Sequence, residues 1–260
     1  LACGAAGPRR PSLRLHAPRH RRNPPLSLTP SPRSPVSAFK AVILAAGLGT
    51  RMKSQVPKVM HPVLGRPMIS YPVDVALATG AVEVAVVVGH AREVVEDYLT
   101  RRYGDAVSTH VQHQMLGTAD AVRSALPAFA SFEGAVIILS GDVPNLTAEV
   151  VAELVHVHAQ GKSPLTMLTA HDPTPNAYGR IDRDDAGRVT RIVEFKDASE
   201  AQRAITEVNI GTYLVDAAFL RDGLARIGTN NAAGEFYLTD LVEMAAAAGK
   251  PAQTVVAADI

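Results

Sequence analysis

Cysteine is almost absent from this sequence. Its single copy, Cys3, lies near the start of the 260 residues. No intramolecular disulfide framework and no cysteine-based zinc site can therefore form. That suits a reducing compartment without requiring one. Long apolar runs are lacking too. The longest, such as Val84–Val88 and Ala41–Ala46, are strand-length, far short of the roughly 18–20 residues of a membrane span. Acidic residues are missing from positions 1–40, which hold 8 of the 26 Lys and Arg. Positions 41–260 then carry 18 basic and 25 acidic residues, so a net charge of +1 hides a leader of +8 and a body of −7. A nucleic-acid-binding domain concentrates basic charge on its folded part. Here the folded part reads as a soluble acidic domain, with neither nucleic acid nor membrane as partner.

Residues 1–38 hold 8 of the 18 prolines, with scattered Ser and Arg. Proline at that density interrupts helices and strands, and little apolar material is left for a core, so a disordered leader is expected. No 7–15-residue apolar stretch marks a secretory signal, whereas the Arg-rich, acid-free composition also fits an organelle transit peptide. A start at Leu1 instead of Met reads as a fragment or as translated upstream sequence.

From Phe39 onward short apolar runs alternate with longer amphipathic stretches. Strands are expected at Lys40–Ala45, Val82–Val88, Val107–Gln112, Ala135–Leu139 and Leu165–Ala170. Helices are expected near Met68–Thr79, Ala91–Tyr103, Thr118–Ala128 and Ala148–Gln160. Unalternating apolar strands separated by helices imply βαβ units and a sheet covered on both faces. The fold class is thus α/β, a doubly wound, mostly parallel, Rossmann-like sheet. Gly179–Arg183 and Arg188–Val193, joined through Asp184-Asp185-Ala186-Gly187, read as an inserted β-hairpin. A strand at Val208–Val215, helices at Ala217–Ile227 and Gly234–Ala248, and a last strand at Thr254–Ala257 follow. No repeat of 20–50 residues and no glycine-spaced hexapeptide pattern occurs.

The first strand runs into Leu44-Ala45-Ala46-Gly47-Leu48-Gly49-Thr50-Arg51-Met52. Ligands of open α/β sheets bind beyond the carboxyl ends of strands. Glycines there let backbone N–H groups approach an anion, and Arg51 adds a planar fork matched to phosphate oxygens. GxxxxGK[ST] is absent, and Met52 occupies the third glycine position of GxGxxG, so neither a P-loop nor a dinucleotide fingerprint is present. Alone, this segment reads equally as a tight turn. Pro57 and Lys58 follow, and lysine is a compact charge suited to phosphate. Asp142, in Gly141-Asp142-Val143-Pro144 after the run Val136–Leu139, stands where a carboxylate can share Mg²⁺ with phosphate oxygens. By itself it reads as a turn or cap residue.

Taken in order, Gly47-x-Gly49-Thr50-Arg51 followed by Lys58 resembles the signature of the sugar-1-phosphate nucleotidyltransferases. Gln112 with Leu116-Gly117-Thr118, Tyr178-Gly179-Arg180, Glu194-Phe195-Lys196-Asp197, Asn209-Ile210-Gly211 and Gly234–Asp240 narrow the resemblance. From about Ala41 to Ala257 the chain is similar to the uridylyltransferase domain of the bacterial bifunctional N-acetylglucosamine-1-phosphate uridylyltransferase/glucosamine-1-phosphate acetyltransferases. That resemblance implies transfer of UMP from UTP to N-acetylglucosamine 1-phosphate in the cytoplasm, for cell-envelope precursors. It implies catalytic roles for Arg51 and Lys58, and nucleotide contacts from Leu44, Ala45, Gly47, Gly49, Thr50, Gln112, Gly117 and Thr118. It implies sugar contacts from Gly141, Gly179, Glu194 and Asn209, and Mg²⁺ on Asp142. The family's second metal ligand, an Asn, would fall beyond Ile260, as would the β-helix that carries acetyl transfer and trimerisation. Turnover of residues 1–260 alone is therefore expected to be poor. Another sugar or nucleotide, or a binding-only homologue, remain the alternatives.

The pairs His110/His113 and His156/His158 lack a third ligand in a recognisable pattern, and no Ser–His–Asp or Cys–His order stands out. Direct displacement at phosphorus needs no covalent nucleophile.

Overall fold

The computed structural model describes Leu1 and residues 38–47, 49, 52, 54 and 56–258. The expected leader, apart from its two ends, lies outside the described residues, as do Thr50 and Arg51.

Phe39–Leu44 forms β1, an inner strand of the sheet. It pairs in parallel with β4 (Val84–Val88) on one side and with β6 (Ala135–Ser140) on the other. Beyond β4 lies β5 (Val107–Val111), also parallel. Beyond β6 lie β10 (Glu207–Asp216), β7 (Leu165–His171) and β11 (Gln253–Val256), giving the order β11-β7-β10-β6-β1-β4-β5. Only β10 runs antiparallel along this path. The chain first winds outward from β1 through β4 to β5, then returns to the opposite side at β6. That reversal opens a crevice at the carboxyl ends of β1 and β6, where such sheets bind ligands.

Consecutive residues of the central strands face opposite sides, and both sides are sealed. Val42, Val136 and Ile138 enter one core cluster, whereas Ala41, Ile43, Ile137 and Leu139 enter the other. The first cluster is covered by α3 (Thr118–Ser124), α4 (Leu126–Phe129), α7 (Ala217–Arg226) and α8 (Asp240–Ala247). The second is covered by α1 (Ser70–Ala78), α2 (Arg92–Tyr103) and α5 (Ala148–Gln160). Each fully buried Ile or Leu contributes about 1.5–3 kcal/mol by leaving water, which explains why the strands are continuously apolar.

The remaining elements are small. Pro62–Val63 and Arg66–Pro67 form the β2–β3 hairpin, and β8 (Arg180–Arg183) pairs with β9 (Val189–Val193) as the expected insertion. The short helix α6 (Glu200–Arg203), with a capping box from Ser199 and Gln202, was not foreseen. Two helix expectations need correction. Thr118–Ala128 breaks at Ala125, because Pro127 has no N–H to continue the ladder. Gly234–Ala248 is helical only from Asp240, since Gly234 (φ 66°) and the backbone pairing of Phe236 with Leu116 keep the preceding residues out of the helical ladder.

Candidate functional site

The end of β1 is tied on both sides: the Ala45 N–H donates to Val87 O at 2.8 Å, and the Gly141 N–H donates to Leu44 O at 2.9 Å. Leu44, Ala45 and Gly47 leave this anchor and line a cavity of about 390 Å³, with Gly49 beyond them. Gly49 has φ 57°, and a Cβ there would stand 2.8 Å from the Cβ of Lys58. Glycine is thus required both for the left-handed backbone and for the loop to close on the lysine.

Lys58 begins a 3-10 turn, Lys58–Met60, preceded by Pro57 at φ −52°. Its ammonium projects into the same cavity and meets Asp142, with Nζ 2.5 Å from Oδ2. Both side chains keep about a third of their surface exposed, at 35% and 33%. The pair is therefore not sealed, and an entering ligand can reach both charges. Asp142 also borders a second cavity of about 370 Å³, which runs along Val143, Asn145, Tyr178 and Ile210. One carboxylate stands between two chambers.

Across the first cavity lie Gln112, Gly117 and Thr118. Gln112 is 4% exposed, and its Nε2 donates to Gly117 O at 3.2 Å and to Asp120 Oδ2 at 2.8 Å. Gly117, at φ 117°, caps α3 and lies against Phe236. The Phe236 N–H donates to Leu116 O, the Ala119 N–H donates to Phe236 O, and the Leu238 N–H donates to Thr118 Oγ1. Arg123 holds the ring from the far side, its guanidinium 4.3 Å from the centroid of Phe236.

The residues assigned to the sugar side form a neighbouring group. The Asn209 N–H donates to Gly179 O at 2.9 Å, and Asn209 Nδ2 donates to the Tyr213 hydroxyl at 2.7 Å. Glu194 Oε1 accepts from Thr239 Oγ1 at 3.2 Å, and the space a Gly179 Cβ would fill is 3.5 Å from Glu194 Oε2. Buried Arg180 fixes the Tyr178–Gly179 turn by donating to Tyr178 O and to Asn176 Oδ1. At Gly141 a Cβ would stand 2.9 Å from Ile69 Cδ1 and 3.0 Å from Leu44 O, so the backbone there packs too closely for a side chain.

The comparisons with known proteins decide the family. Residues 40–260 match the family described as Nucleotidyl transferase. The chain belongs to this nucleotidyl transferase family. Relatives named Bifunctional protein GlmU, from Sorangium cellulosum (strain So ce56) and Anaeromyxobacter sp. (strain K), are each 50% identical over 224 and 221 residues. Both alignments cover 85% of this chain, and 47% and 45% of the relatives. The chain thus spans about half the length of the curated relatives it matches. Among solved structures, a UDP-glucose pyrophosphorylase complexed with UDP-glucose has a TM-score of 0.67 at 20% identity, covering 84% of this chain and 90% of its own. A putative glucose-1-phosphate thymidylyltransferase from Bacillus anthracis also scores 0.67 at 20% identity, covering 85% and 87%. At that identity these two speak for the fold alone.

The first cavity gathers residues that are far apart in sequence: the glycine loop, Lys58, Gln112, Gly117, Thr118 and Asp142. Sequence reasoning missed Ser140 and Glu235, which also line this cavity, and Asp120, which holds the Gln112 amide. Glu235 lies in a segment already noted for its resemblance but expected to be helical, whereas the helix starts only at Asp240. Asp120 follows Gln112 by eight residues, a separation that carries no recognisable spacing until α3 turns it back.

Glu194 sits with Asp197, Asp240 and Tyr237 around a polar depression of about 300 Å³. Burial, then the neighbouring carboxylates Asp197, Asp240 and Glu235, push its pKa above the ordinary carboxylate range, and burial likewise raises Asp240. A carboxyl whose pKa is raised on folding binds its proton more tightly in the native state. Stability is then intact below the unfolded-state pKa and declines as pH climbs through the native one. Glu194→Gln removes that penalty. We expect its Tm to exceed wild type by at least ~2 °C at pH 7.5 and by less at pH 4. An equal difference at both pH values would contradict this electrostatic origin.

Proposed function

We propose that this domain transfers UMP from UTP to N-acetylglucosamine 1-phosphate, releasing pyrophosphate. The observation that carries the reading is the pair of cavities that share Asp142, with Lys58 held against that carboxylate in the first of them. The relatives at 50% identity support the uridylyl assignment. Residues 39–260 act as the nucleotidyltransferase domain.

The triphosphate lies on the glycine loop, where the backbone N–H groups around Gly47 and Gly49 meet its oxygens, aided by Thr50 and Arg51. The base enters against Gln112, Gly117 and Thr118. The sugar occupies the side of Gly179, Glu194 and Asn209, with its phosphate directed toward Asp142. A phosphate oxygen of the sugar phosphate attacks the α-phosphorus, the new P–O bond forms in line, and the bond to the β-phosphate oxygen breaks. Pyrophosphate leaves with that electron pair. No proton needs to be removed from the nucleophile, so catalysis reduces to orientation and neutralisation of charge. Lys58 supplies the neutralising cation beside the α-phosphate.

A magnesium ion fits this donor set. Asp142 offers one hard carboxylate in the cavity, and Mg²⁺ commonly takes one or two carboxylates with substrate phosphates and waters. Among the described residues no group of three or more His, Cys, Asp or Glu forms an all-protein cage, which suits an ion brought with the nucleotide. Bound there, it would neutralise phosphate charge and align the two substrates. Among the described residues no helix is long and apolar enough to cross a membrane, and we assign the reaction to the cytoplasm.

The test is pyrophosphate release across UTP, dTTP, CTP and a panel of sugar 1-phosphates, with Mg²⁺ present. UTP with N-acetylglucosamine 1-phosphate should give the highest kcat/KM. A higher value for another pair would replace the assignment.

A further inference from the structure

The base-binding wall contains a lock that the family resemblance does not name. Resting on the reading above, we propose that Asp120 is a positioning residue that fixes the orientation of the Gln112 amide and thereby selects a pyrimidine carrying a ring N–H. An amide side chain reads a base in two opposite ways, depending on whether its oxygen or its nitrogen points outward. Here the choice is forced. The inward atom lies 2.8 Å from Asp120 Oδ2 and 3.2 Å from Gly117 O. Both of those groups accept hydrogen bonds, so that atom must be the NH₂, whose two hydrogens are then used. No donor among the described residues reaches Gln112 Oε1, and that oxygen is not one of the sealed polar atoms of the structure. Because Gln112 lines the cavity, the base meets a fixed acceptor.

The consequence is a sign rule at the ring nitrogen. Uracil and thymine present N3–H, which donates to this oxygen. Cytosine presents a bare N3 lone pair, which faces it with repulsion and leaves both groups unpaired. Asp120 itself is anchored: it stands in the first turn of α3, half-buried, at a helix end that favours negative charge. It needs no contact with the nucleotide to act.

The experiment is calorimetric binding of UTP and CTP to the wild type and to Asp120→Asn, with thermal melting as a folding control. Asparagine keeps the size of the side chain but offers either a donor or an acceptor to Gln112, so the amide is released to turn over. We expect wild type to prefer UTP, and Asp120→Asn to lose about tenfold of that preference through tighter CTP and weaker UTP binding. Asp120→Ala should do the same and keeps the test open if the asparagine variant folds poorly. A variant that melts like wild type and retains the full UTP preference would overturn the lock alone. A wild type without preference for UTP would overturn the uridylyl reading instead.

Discussion

Lys58→Ala is expected to lower kcat for pyrophosphate release by about 10²–10³, the range seen when a charge-stabilising group is removed from a transition state. The reason lies in where the lysine is held. Pro57 sets the entry to its 3-10 turn, Gly49 packs on its stem, and Asp142 holds its ammonium at 2.5 Å in the open cavity. A single positive charge is thus ready before any polyphosphate arrives. Its removal also leaves the Asp142 carboxylate uncompensated opposite an anionic ligand. Lys58→Arg keeps the charge but replaces a compact ammonium with a wider planar group, so it should recover only part of the rate. Asp142→Asn should give a loss of similar order. Because the two groups touch, the double variant should cost much less than the product of the single losses. Stopped assays of pyrophosphate release decide it. Near-wild-type turnover in Lys58→Ala would remove the lysine from the mechanism.

The second large effect concerns Gly117. At φ 117° a side chain is already strained, and a Cβ there would stand 2.5 Å from Phe236 O and 2.8 Å from Phe236 N. Those are backbone atoms with no freedom to swing aside, and both hold hydrogen bonds across the contact. Strain of about 1–3 kcal/mol is added to the loss of two bonds near 1 kcal/mol each, so Gly117→Ala should cost about 3–5 kcal/mol. For a domain of this size that corresponds to a fall in Tm of roughly 6–20 °C. Gly117 O also holds the Gln112 amide, so UTP affinity should fall by at least about tenfold. Gly80→Ala provides the control. Its φ is 94°, yet nothing lies within 4 Å of the added methyl group, so it isolates backbone strain from collision. Equal melting losses for the two variants would show that the Phe236 contact is not what demands glycine.

The two predictions draw on different kinds of information. The apolar runs of β1, β4 and β6, covered on both faces, already implied a parallel sheet wound in two directions. The glycines after β1 and the aspartate after β6 lie just beyond strand ends, so their meeting at one edge follows from topology alone. Local composition is enough there, because burial of a continuous apolar strand and the conformational demands of glycine and proline are written in neighbouring residues. Arg51 and Thr50 fall outside the described residues, and their expected roles rest on the resemblance.

Contacts between distant segments were another matter. Phe236 pairs with Leu116 across 120 positions of chain, and that pairing keeps Gly234–Thr239 out of the helix that the apolar pattern implied. At Gly141 the approach of Ile69 and of the end of β1, which leaves no room for a side chain, is likewise a contact between distant segments. Asp120 appeared as one more acid on a helix until α3 brought it to 2.8 Å from Gln112. What the sequence by itself determined is the sheet, its winding and the chemical character of the cavity edge, since these follow from periodicity and residue type. The orientation of the Gln112 amide, the Lys58–Asp142 pair and the need for glycine at 117 were decided only by the tertiary structure. Each depends on which hydrogen-bond acceptor, charge or backbone atom stands within a few ångströms, and chain order does not encode those distances.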